Sequence, residues 1–192
     1  MKPTDILINE HRIIEQVLNC LERMIERCTE QGRLEREPAR DAIAFFRSFA
    51  ECSHLAKEQT LLFPAMAELE CPRGCDSAEL MAREDVDAHV HLRGMEEVIE
   101  EASAGDTNAL KRFVQHGQAY VDLLMTYIEN EEDRLFPQAD RVLDEGQQRV
   151  LKESLQHDNA ESRCGGSHEE FVALANRLAD HFSVPRAHLI ED

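Results

Sequence analysis

The stretch "HLAKEQTLLFP" at 54–64 returns 73 residues later as "YIENEEDRLFP" at 127–137. Laid over each other, Glu58 meets Glu131, Leu62 meets Leu135, Phe63 meets Phe136 and Pro64 meets Pro137. At an offset of 74, "EH" at 10–11 falls on "ED" at 84–85. A chain that repeats itself in this way is expected to fold as two matching halves. The apolar pattern says what each half is made of. In 4–30, Ile6, Ile13, Ile14, Val17, Leu18, Leu21, Met24 and Ile25 recur at helical spacings. "GRLEREP" breaks that helix, and a second runs from about Ala39 to Leu62 with Ile43, Phe46, Phe49 and Ala50 on one face. A third covers about 79–103, ended by "SAGDTN", and a fourth about 107–134.

No strand alternation of useful length occurs. Four helices joined by short or moderate loops predict an all-α, up-down-up-down four-helix bundle over residues 1–140. Two shorter helices, about 138–158 and 167–183, predict a C-terminal helical extension, 141–192, packed on the bundle. The last helix opens with "SHEE", in which Ser167 and Glu170 have the spacing of a capping box.

Charge narrows the functions. With 39 acidic and 21 basic residues the net charge is -18, which opposes nucleic-acid binding and an anionic membrane surface. No uncharged stretch approaches the roughly 18 residues needed to cross a bilayer. "MKPTDILINEHRIIEQ" has no apolar signal-peptide core, so a cytoplasmic location is expected. Six cysteines, at 20, 28, 52, 71, 75 and 164, lack the density of a disulfide scaffold. "CPRGC" at 71–75 reads as reduced loop thiols, with a local disulfide or half a metal site as alternatives.

The chemistry-bearing residues fall on the repeat. His54 and Glu58 stand four apart on a helix, one turn apart on one face, where an imidazole and a carboxylate can hold the same ion. Tyr127 and Glu131 repeat that spacing on the fourth helix, and Asp85 and His89 on the third, while His11 adds a lone imidazole on the first. Carboxylates and histidines turned inward in a helical bundle build carboxylate-bridged di-iron centres. Blander readings exist for each. His54 and Glu58 could be a solvated pair, Asp85 a surface acid, and Tyr127 a packed aromatic. His91 could face inward in place of His89. His116 and Tyr120 share the face of Tyr127 and Glu131, either lining a pocket or bonded to each other. His157, His168, His181 and His188 read as surface residues.

On these residues the chain resembles the hemerythrin-like (HHE cation-binding) family, whose pattern is H…HxxxE…H…HxxxE over four helices. The likeness runs from about residue 5 to 140. Its first half is complete in His11, His54 and Glu58; in the second, Asp85 and Tyr127 stand where the family has histidines. The resemblance implies two iron ions: His11 and His54 on one, Asp85, His89 and Tyr127 on the other, Glu58 and Glu131 bridging. It further implies a small diatomic or peroxide ligand. An aspartate and a phenolate in place of imidazoles favour ferric iron, hence stress response or sensing rather than bulk oxygen carriage. Peroxidase- or catalase-like turnover and nitric oxide handling are the enzymatic activities such a centre allows. The alternative is a metal-binding regulatory module with an incomplete second site and no turnover. A bundle with a vestigial site, serving only as an interaction domain, fits worst with His11, His54, Glu58 and Glu131 all present.

Overall fold

The computed structural model describes residues 1–67, 77–158 and 163–191, with the side chains of 77–86 outside that description. Cys71 and Cys75 therefore lie outside the described residues. Among the described residues the chain is helical, without strands. Helix α1 (Pro3–Gln31) starts on Pro3, whose fixed φ suits a first helical position, and ends at Gly32 in the left-handed region with φ 67°. A second rod is continuous from α2 (Arg36–Phe45) through α3 (Leu55–Lys57) to α4 (Phe63–Ala67). Two stretches within it, Phe46–His54 and Glu58–Leu62, widen to π-helix, with i→i+5 bonds.

The third predicted helix is broken into α5 (Ser77–Glu96) and α6 (Ile99–Ser103) at Val98, whose ψ is 0°. Helix α7 (Thr107–Asn130) is capped by Asp106, which accepts from the Ala109 amide at 2.8 Å. It runs through a third π-turn (Glu131–Leu135) into α8 (Phe136–Val142). Then come α9 (Glu145–His157) and α10 (His168–Phe182). The expected Ser167/Glu170 box is formed, with bonds of 2.8 and 3.3 Å.

Helix α7 packs against α1, α5 and α6, and α1 also carries α9 and α10. Gly94 and Gly117 allow the close approach at α7: a Cβ at Gly94 would lie 2.6 Å from the His116 ring. The main core gathers Phe45, Phe46, Phe49, Phe113 and Tyr120 with Phe171 and Leu178 of α10. A second cluster joins Leu7, Leu62, Leu135 and Phe136 to Leu151 and Leu155 of α9. Cys52 and Cys164 form a disulfide, 112 residues apart in sequence, that ties the second rod to the segment before α10. No described helix is long and apolar enough to cross a membrane.

Candidate metal centre

The repeated E-x3-LFP tail has a physical effect on the helix that carries it. Pro64 and Pro137 cannot donate to the carbonyl four residues back, and their rings crowd it. In both copies the turn just before the proline opens to π-helix, beginning at Glu58 in one and at Glu131 in the other. π-Turns of this kind recur at functional sites.

Both glutamates are fully buried, as are His11 and His54 at 0 % and 4 % exposure. One donor atom from each of these four residues lies within 4.8 Å of the other three. His11 Nε2 is 3.0 Å from His54 Nε2 and 3.1 Å from Glu131 Oε2, and His54 Nε2 is 3.2 Å from Glu58 Oε1. Separations near 3 Å are what neighbouring ligands on one ion adopt when each bond is about 2.1 Å. Glu58 Oε1 is buried and aligned with no hydrogen-bond donor among the described residues. Buried carboxylates crowded onto two imidazoles fit a cation better than they fit one another.

The outward nitrogens of both imidazoles are held. His11 Nδ1 donates to Glu132 Oε1 at 2.9 Å, and Arg12 donates to the other oxygen of Glu132. His54 Nδ1 donates to Glu10 Oε2 at 2.8 Å, while Lys57 Nζ donates to Glu10 Oε1 at 2.5 Å. These carboxylates hold each imidazole by its Nδ1 and turn its Nε2 into the cluster, as around metal-ligating histidines generally. Burial alone would lower the pKa of His54, but the charge of Glu58 and the Glu10 bond outweigh it and raise it to about 10. Burial wins at His11, whose pKa falls despite the Glu132 bond. At Glu10 burial is the largest influence and raises the pKa, yet His54 and Lys57 together bring it below the usual value.

A family model for the hemerythrin HHE cation-binding domain matches residues 2–139. The chain belongs to that family. No curated protein and no solved structure matches it. The hemerythrin HHE match contains all four clustered donors.

The other three residues singled out in the sequence sit differently. Tyr127 is half-buried, and its hydroxyl donates to Glu58 Oε2 at 3.3 Å. His89 is outside the cluster: its side chain is 62 % exposed, and its Nδ1 donates to Glu51 at 3.1 Å. Asp85 lies on α5, but its side chain is outside the described residues. His91 pairs with His116, Nδ1 to Nδ1 at 3.1 Å, and Tyr120 is buried without bonding His116. His157, His168, His181 and His188 are exposed. Sequence reasoning missed Glu10, Lys57 and Glu132. Each is a chain neighbour of a ligand candidate, and the "EH" doublet already displayed Glu10. A cavity of about 410 Å³ adjoins the donors, with His11, His54, Glu58 and Tyr127 in its wall.

Proposed function

We propose that this protein is a non-haem di-iron protein that binds or reacts with dioxygen, peroxide or nitric oxide in a stress response or in sensing. The observation that carries the reading is the convergence of His11, His54, Glu58 and Glu131 in a buried, donor-rich cluster. In this reading residues 1–140 form an up-down-up-down four-helix bundle that holds the site, and 141–192 brace it. His11 and His54 would hold one iron, Tyr127 and Asp85 would contribute to the other, and Glu58 and Glu131 would serve both, while His89, bonded to Glu51 and largely exposed, is left out of the set. Iron supplies one-electron redox chemistry and an open position for a small ligand. As ligands, a Tyr127 phenolate and Asp85 would add negative charge to the metal, which would favour its oxidised state and work against reversible oxygen carriage. Glu10 and Glu132 hold the two imidazoles in place, and all four donors are themselves buried.

The test is the visible spectrum of the oxidised, iron-loaded protein beside Tyr127→Phe. A phenolate on ferric iron gives an intense charge-transfer band that the variant loses. Identical spectra would remove Tyr127 from the ligand set. A second reading, a regulatory module with one ion and no turnover, draws on the exposure of His89 and its bond to Glu51. Peroxide consumption by the iron-loaded protein separates the two: the module consumes none above free iron.

A further inference from the structure

The cavity beside the donors is far larger than a diatomic ligand. At about 410 Å³ it has room for about a dozen waters at roughly 30 Å³ each, and it falls among pockets that take small organic molecules. Its wall is mostly carbon, including Ile14, Ala50, Leu55, Leu123, Leu124 and Ile128. Away from the donors, two of its polar side chains carry a buried oxygen without a hydrogen bond among the described residues. Tyr120 is 0 % exposed, and its hydroxyl has no hydrogen-bond partner among the described residues. Glu51 Oε1 is also buried and equally unbonded, although its other oxygen accepts from His89. Leaving such atoms unsatisfied costs stability, so each calls for an explanation.

Their placement supplies one. Tyr120 precedes Tyr127 by two helical turns, and Glu51 precedes Glu58 by seven residues, so both stand roughly 10 Å along their helices from the donors. Burial, reinforced by the negative charge of Glu51, keeps Tyr120 a neutral phenol. The cavity thus has a donor-rich metal end, an apolar middle and a polar end with one hydroxyl and one carboxylate oxygen. Arg47, the arginine in the wall, is held by Glu96 through two bonds of 2.7 and 2.5 Å. A ligand carboxylate would meet Glu51 and a chain of net charge -18. A neutral hydroxyl group meets neither objection, because it donates to one oxygen and accepts from the other.

We propose that this cavity binds a neutral, apolar molecule of about ten non-hydrogen atoms bearing one hydroxyl, recognised by Tyr120 and Glu51. This deepens the reading above, since it names an organic molecule that shares the site with the small ligand. It rests on that reading for its consequence and not for binding itself.

The experiment is calorimetric titration of the full chain, metal-free and iron-loaded, with 1-butanol, 1-hexanol, 1-octanol and octanoate. Iron content is counted in the same samples. One 1-octanol binds per chain, affinity rises about fourfold per methylene along the alcohols, and octanoate binds at least about tenfold more weakly. Tyr120→Phe and Glu51→Gln each weaken 1-octanol by about two- to tenfold. Ala50→Leu, which narrows the cavity, weakens 1-octanol binding. Without ligand, Tyr120→Phe melts no lower than the parent, because it deletes an unbonded hydroxyl. Octanoate binding as tightly as 1-octanol, or an unchanged affinity in folded Tyr120→Phe, overturns the proposal. Iron uptake without alcohol binding overturns it alone, whereas alcohol binding without iron uptake supports it and sinks the metal reading.

Discussion

At the scale of single residues, the two Nε2 atoms of His11 and His54, 3.0 Å apart, cannot both carry a proton. The raised pKa of His54 and the lowered pKa of His11 assign the single proton to His54 in the metal-free protein. The sign of the resulting pH dependence follows. With a folded pKa of about 10, above the ordinary 6.5, protonated His54 stabilises the metal-free fold below pH 6.5 and that contribution is lost as pH rises through 10. A metal ion needs the same lone pair, so loading at pH 7.5 should release about one proton from His54, and apparent affinity should fall as pH is lowered. Titration calorimetry in two buffers of different ionisation enthalpy measures that proton; no release would contradict the assignment. Glu10 holds His54 from behind, and Glu10→Gln should weaken metal binding by about 10- to 100-fold, read by chelator competition. The thiols of Cys20 and Cys28 are pushed by burial to about 12 and about 11. At pH 8 both should stay unmodified by iodoacetamide over hours in the native protein, as peptide mapping by mass spectrometry would show, and should react once it is unfolded.

At the scale of elements, the ligand spacing was legible because helical periodicity is a local property. His54 and Glu58 lie one turn apart whatever the rest of the chain does, and the LFP repeat marks where equivalent turns occur. The two π-turns of the LFP repeat were half-legible: their prolines announce a lost hydrogen bond, but whether a helix breaks, kinks or widens there depends on what packs around it. His89 shows the limit of spacing arguments. The buried stripe of α5 runs through Ala88, Leu92 and Met95, and His89 is one residue off that stripe, beside Glu51. Spacing relates His89 to Asp85 but not to the neighbouring helices. The same holds for the α5–α7 contact, which is set by Gly94 beneath His116. Gly94→Ala gains about 1 kcal/mol of helix propensity and incurs an overpacking cost of about 1–3 kcal/mol. A net loss of about 1 kcal/mol is expected in urea unfolding. A more stable variant would mean that the His116 ring swings aside freely.

At the scale of the whole molecule, the feature least visible in the sequence is the Cys52–Cys164 bond. Pairing across 112 residues leaves no trace in spacing, and a cytoplasmic expectation argues against looking for it. Its place is informative, because Cys52 is in the cavity wall and Cys164 lies in the segment before α10, whose Phe171 and Leu178 enter the main core. Closing so long a loop restricts the unfolded chain. Cys164→Ser is therefore expected to lose about 2–4 kcal/mol of stability in the absence of reductant, and to match the parent when reductant is present. The helical core, the four clustered donors and the bonds behind them support a metal site in this hemerythrin HHE chain, and the proposal to be tested is that it holds a pair of irons. The most direct test is the number of irons retained per chain after anaerobic loading and desalting, for the parent protein and for a Glu58→Ala, Glu131→Ala double variant. The account predicts two in the parent and none in the variant. One or none in the parent, or equal iron in the two proteins, would contradict it.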